Sequence, residues 1–102
     1  MKHLEIHYIG AEWCGKCATL KPIVSTVADR LTSNPGVSFL FYNYDTCNDD
    51  IKAILDKHNV MSLPVLIFSH KGEIQNPLEV ISGKVLHIQA LEDIVMQLLT
   101  EE

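Results

Sequence analysis

The hydrophobic positions change period along the chain, and each change marks an element. Near the start Leu4, Ile6 and Tyr8 alternate with His3, Glu5 and His7, the period of two expected of a strand over residues 3–9. Leu20, Val24, Val27 and Leu31 then recur at intervals of four, three and four. That spacing makes one buried stripe on a long helix, which Asn34-Pro35-Gly36 stops. Val37 to Tyr42 is nearly continuous in apolar and aromatic residues, the pattern of a strand covered on both faces, in the sheet centre or next to it.

Thr46 or Asn48 can cap a short helix whose first turn carries Asp49 and Asp50, favourable charges at a positive helix end, with Ile51, Ile54 and Leu55 facing inward. Lys57, His58 and Asn59 close it. A third strand runs from Pro64 to Phe68, Lys71-Gly72 turns it, and a fourth covers Leu78 to Ser82 after Asn76-Pro77. A final helix buries Ile88, Leu91, Val95 and Leu98. The order is βαβαββα, an α/β fold with a four-stranded mixed sheet flanked by helices. Two crossover helices imply parallel pairing, and the closing hairpin implies one antiparallel strand.

At 102 residues, 47% hydrophobic and 21% charged, the chain is expected to form one domain over 1–102. The net charge of -5, with no basic cluster, argues against nucleic acid or an anionic membrane as partner and leaves small molecules and proteins. Met1-Lys2-His3-Leu4-Glu5 turns polar too soon for a signal peptide, and no apolar run approaches a membrane span, so a cytoplasmic location is the default. Three cysteines do not make a secreted disulfide framework.

Two of those cysteines stand in Trp13-Cys14-Gly15-Lys16-Cys17, where a thiol pair three residues apart can carry electrons or hold a metal. Its place between a strand and a long helix favours electrons. Zinc would need two further ligands, and no second C-x-x-C or paired-histidine motif supplies them. His3 and His7 could at most begin a metal site.

Ala11-Glu12-Trp13-Cys14-Gly15-Lys16-Cys17, Pro22 five residues after the second cysteine, and Ser62-Leu63-Pro64 before the third strand together resemble the thioredoxin family. Ala28-Asp29, Asp45 and Lys71-Gly72-Glu73 match at the expected offsets, so the resemblance covers nearly the whole chain. It implies a thioredoxin fold, and three departures modify it. Only 13 residues precede Cys14, where the family usually has a further strand and helix, so the chain is similar to a trimmed version close to glutaredoxin in architecture. Tyr8 stands where the family has a buried acidic residue, and Lys16 replaces the usual proline between the cysteines.

Disulfide exchange needs an accessible thiolate and a second thiol near enough to displace the mixed disulfide, and the three-residue offset sets both on one helical turn. Cys14 is assigned the attack and Cys17 the resolution. Free N–H groups at the helix start stabilise the Cys14 thiolate, with Gly15 beside it and Lys16 adding positive charge. Lys16 is expected to make the protein a weaker reductant than a proline would. The resemblance further implies a cis Pro64 against the cysteines, with the Leu63 backbone pairing with a substrate strand and Trp13 offering an apolar surface.

Tyrosine is a poor base at neutral pH. Glu12, Asp45 or water is therefore expected to take the proton from Cys17, with slower resolution as the consequence, while Tyr8 fills core volume. The family's side for the acid faces the cysteine helix, which leaves His3, Glu5 and His7 on a partly wet face. Cys47 reads as a small buried hydrophobe, with a regulatory or intermolecular disulfide as the alternative.

The expected function is thiol–disulfide exchange on protein disulfides by a monomer, with a thioredoxin reductase or glutathione as electron donor and no cofactor beyond the Cys14–Cys17 disulfide. A glutaredoxin-like, glutathione-dependent reductase is the alternative among enzymes. A protein-binding module using the groove between Trp13 and Leu63-Pro64, with dispensable cysteines, is the alternative from another class.

Overall fold

The computed structural model describes residues 3–101. Four strands, β1 (Leu4–Gly10), β2 (Val37–Asn43), β3 (Val65–His70) and β4 (Glu79–Ser82), alternate with α1 (Gly15–Arg30), α2 (Asp49–Lys57) and α3 (Ile88–Thr100) in the expected βαβαββα order. The strands form one mixed sheet in the order β2-β1-β3-β4.

β1 is central, and its two faces organise two cores. Leu4, Ile6 and Tyr8 point to one side, where Leu66 and Phe68 of β3 join them against Leu20, Val24 and Val27 of α1 and Leu91 and Val95 of α3. Ile9 points to the other side and packs with Val65, Ile67 and the α2 residues Ile51, Ile54 and Leu55. Each fully buried aliphatic or aromatic side chain of this kind contributes about 1.5–3 kcal/mol relative to exposure. Asn48 caps α2, its Oδ1 accepting the Ile51 N–H at 3.0 Å, with Asp49 and Asp50 at the positive end. Thr46 does not serve.

β2 pairs with β1 in parallel, from Leu4 opposite Val37 to Gly10 opposite Asn43. It is an edge strand beside the central one. Its apolar run is half-buried on both faces, and Phe41 remains 42% exposed.

The second crossover does not make a parallel pair. β3 runs antiparallel to β1, with Ile9 opposite Val65 and Leu4 opposite His70, and β4 is antiparallel to β3. β2 therefore ends, and β3 begins, at the same end of the sheet. The segment carrying α2 loops over one face and returns to that end, where β1 also delivers the chain to the cysteines.

The polar face of β1 is graded rather than uniformly wet. His3 and Glu5 are half-buried, but His7 is only 4% exposed. Its ring stacks on Tyr42 with centroids 5.8 Å apart, its Nδ1 lies in a hydrogen bond 3.2 Å from the Tyr42 hydroxyl, and its Nε2 is 3.5 Å from Glu5 Oε1. His3 Nε2 pairs with Ser38 Oγ at 2.6 Å. Among the described residues, no cluster of three or more His, Cys, Asp or Glu could hold a metal ion.

Burial pushes the His7 pKa below its ordinary value of 6.5, and the Glu5 carboxylate opposes that shift without reversing it. The unfolded chain therefore binds the His7 proton more readily than the folded one. Stability from this group is complete above pH 6.5 and is lost as the pH falls below it. The urea midpoint is expected to fall on acidification through that range, and to fall less steeply in His7→Gln; equal slopes would show that His7 titrates as it does in water.

Candidate active site

β1 ends at Gly10, a short turn follows, and Cys14 becomes the N-cap of α1. Its backbone is extended at φ -98 and ψ 116, its N–H donates to Ala11 O at 3.2 Å, and its carbonyl accepts the Ala18 N–H at 3.3 Å. The capping acceptor is sulfur in place of the usual oxygen: Cys14 Sγ accepts the Cys17 N–H at 3.2 Å. A thiolate here faces unpaired amides and the positive end of a 16-residue helix. Pro22 inside α1 removes the N–H that would bond Ala18 O, at an exposed residue where water can replace it.

The two thiols occupy different surroundings. Cys14 is half-buried and Cys17 is 3% exposed, and neither is bonded to the other here. Burial pushes the Cys17 thiol up, its hydrogen bond with Cys14 adds to that, and the Ala11 N–H and the Tyr8 hydroxyl act in the opposite sense. Tyr8 is itself pushed above the ordinary tyrosine range, first by burial and then by the two sulfurs, so it serves only as a donor. Its hydroxyl donates to the Cys17 carbonyl at 3.2 Å.

Three segments close around Cys14. Trp13 is 68% exposed, and its indole N–H donates to Asp45 Oδ2 at 2.8 Å, which ties the β1–α1 turn to the end of β2. The Leu63–Pro64 peptide is cis, as the resemblance implies. Pro64 O accepts the Gly83 N–H at 2.8 Å, and Gly83 O accepts the Lys16 ammonium at 3.1 Å. A groove of about 470 Å³ runs between these segments, lined by Trp13, Cys14, Tyr44, Val60, Met61 and Leu63 among others. Met61 is 90% exposed on its rim.

A second cleft, of about 330 Å³, is lined by Tyr8, Glu12, Cys17, Lys21 and Phe41 among others. Glu12 thus borders the space beside Cys17, whereas the Asp45 carboxylate is taken by Trp13. Cys47 is half-buried against the α2 core, its thiol 3.4 Å from Tyr44 O.

Sequence reading missed Gly83, Met61, Tyr44 and Gly10. Gly83 could have been found from the hairpin register: Ser82 pairs with Val65, which sets the next residue opposite Pro64. Met61 and Tyr44 carry no periodicity and are brought to the groove only by the fold.

The Thioredoxin family model matches residues 3–95. Putative thioredoxin-4 of Dictyostelium discoideum is 35% identical over 83 residues, 76% of this chain and 71% of that protein. Human protein disulfide-isomerase A4 is 26% identical over 73 residues, 72% of this chain but 11% of that much longer protein. The chain likewise spans 45% of a thioredoxin H-type of Oryza sativa. Among solved structures, thioredoxin-2 of the malaria parasite superposes with a TM-score of 0.72 at 16% identity, covering 94% of this chain and 84% of that one. At that identity the likeness is one of fold.

Gly83 has φ 70, and a Cβ there would lie 2.9 Å from Ser62 Cβ. Gly83→Ala is therefore expected to destabilise by about 1–3 kcal/mol. Gly15 has open space around it, so Gly15→Ala should stabilise by about 0.4–1 kcal/mol. Urea unfolding of the two variants tests the contrast, and equal effects would contradict it.

Proposed function

The chain belongs to the thioredoxin family of thiol–disulfide oxidoreductases, and on that premise we propose that it reduces protein disulfides through Cys14 and Cys17. The observation that carries this reading is the capping bond from the Cys17 N–H to Cys14 Sγ. It sets one sulfur in the groove at a positive helix end, with the second thiol buried directly behind it.

The Cys14 thiolate attacks one sulfur of a substrate disulfide, and the other substrate sulfur leaves as a thiolate. Cys17, once deprotonated, attacks Cys14 Sγ; the bond from Cys14 to substrate breaks, and the Cys14–Cys17 disulfide forms. A thioredoxin reductase or glutathione then returns two electrons. Leu63, before the cis Pro64, offers backbone to an extended substrate, while Trp13 and Met61 provide apolar contact. A groove with so much exposed apolar surface suits a polypeptide better than a small polar thiol. The proposed setting is the cytoplasm, and the described residues include no helix long and apolar enough to cross a membrane.

The exposed Trp13 and Met61 also favour a second reading, a protein-binding module that does not use its thiols. A Cys14→Ser, Cys17→Ser double variant that keeps its cellular function would establish it in place of the first.

Insulin reduction is expected to fall to background in Cys14→Ser, while Cys17→Ser accumulates a stable mixed disulfide that reductant dissolves; an active Cys14→Ser would exclude the assignment. Lys16→Pro removes the cation on the first turn of α1. Its reduction potential is expected to become more negative by about 10–20 mV, and a potential unchanged or raised would show that Lys16 does not favour the dithiol.

A further inference from the structure

β2 has the composition of a covered strand but stands at the end of the sheet. Its residues, Val37–Asn43, carry no charge and are nearly continuous in apolar and aromatic side chains, yet among the described residues it pairs with β1 alone. Phe41 stays 42% exposed. Sheet edges are ordinarily kept from pairing by shortness, proline or charge. The opposite edge, β4, has such protection: it is four residues long, begins at the exposed Glu79 and closely follows Pro77. β2 has none of it.

The backbone of this edge complements itself. The Leu4 N–H donates to Gly36 O at 2.8 Å and the Tyr44 N–H to Gly10 O at 2.7 Å, so in the parallel register the peptide groups of Ser38, Leu40 and Tyr42 face β1. Those of Val37, Phe39, Phe41 and Asn43 face away from it. At the two ends the outermost groups are already used: the Val37 N–H donates to Asn34 O, and Asn43 O accepts the Thr46 and Cys47 N–H groups. A two-fold axis through Leu40 matches what is left. Phe39 of one chain and Phe41 of the other exchange both of their hydrogen bonds, and the Asn43 N–H reaches Val37 O. Slipping by two residues, the least the pleat allows, would leave the Phe41 carbonyl or the Phe39 N–H unpaired.

Side chains and charge agree with that register. Phe39 packs against the first core, and the Phe41 ring lies 5.7 Å from that of Tyr8 on the same face. The axis therefore sets each phenylalanine opposite the other from the second chain, as cross-strand aromatic pairs. Beyond the strand, Asp45 comes opposite Pro35. No like charges meet across the axis, although each chain carries a net charge of -5.

We propose that two copies of this chain join antiparallel through β2 into one continuous sheet, in place of the monomer expected from the sequence. The paired stretch ends at Asn43, before the groove residue Tyr44. One edge strand makes a small interface, so the dimer is weak and forms with rising concentration.

Sedimentation equilibrium over a range of concentrations reads the pairing. The apparent mass is expected to climb from 11.5 kDa toward twice that, and to stay at the value for one chain in Phe41→Lys, which sets a cation on the exposed edge. Register is read with diamide as oxidant in a Cys14→Ser, Cys17→Ser, Cys47→Ala background. Leu40→Cys places a thiol on the axis opposite its own copy, in a pair without hydrogen bonds whose Cα atoms stand about 4.5 Å apart, and a covalent dimer is expected. Ser38→Cys and Tyr42→Cys are expected to cross-link when mixed and far less when each is alone. A wild-type mass of one chain at every concentration overturns the proposal, whether or not β2 captures a strand of another protein. So does a dimer that persists in a folded Phe41→Lys, or one in which Leu40→Cys cross-links no better than Ser38→Cys alone. If Phe41→Lys does not fold, the cysteine variants decide by themselves.

Discussion

The bond between the Cys17 N–H and Cys14 Sγ is the constraint on which the rest of the site depends. It makes the first cysteine both the end of a turn and the start of a helix, so the Cys14 sulfur cannot move without uncapping α1. Everything else positions that junction. β1 delivers the chain to it from the centre of the sheet, and two cores hold β1 from opposite faces. The ends of β2 and β3 arrive at the same edge, carrying Asp45 toward Trp13 and Pro64 toward Gly83.

The two sulfurs differ because one side of the junction is open and the other closed. Cys14 looks into the groove beside Trp13 and Met61, whereas Cys17 is dry and its thiol is pushed up by that burial. A half-buried sulfur facing the groove, with a buried thiol as its partner, suits the proposed exchange in which attack comes first and resolution second. Burial at Cys17 would work against resolution if nothing offset it. Backbone at Ala11 and the hydroxyl of Tyr8 both do so, and both belong to β1 or the turn that follows it. The strand that orders the sheet thereby also tunes the site.

Much of this architecture was legible in the order of residues. The elements, the α2 cap at Asn48 and the cysteine pair at a strand-to-helix junction all follow from periodicity and local chemistry, which act over a few residues. The failures were non-local. The element order predicts a parallel crossover at α2, but helix periodicity says nothing about which end of the sheet the chain returns to, and β3 is antiparallel to β1. The resemblance sets His7 on a partly wet face, away from the cysteine helix, yet Tyr42, thirty-five positions away, covers its ring.

By itself the sequence determined which residues could carry chemistry: a C-x-x-C at a helix start and a proline before a strand. Those are properties of residue type and short spacing. The tertiary structure alone decided how the thiols are set apart in exposure. It put Lys16 on the Gly83 carbonyl and Asp45 on the Trp13 indole, and it brought a phenol over a glycine at the back of Cys17. The physical reason is that desolvation and hydrogen bonding depend on what distant segments place within a few ångströms, and that is settled only when the sheet closes.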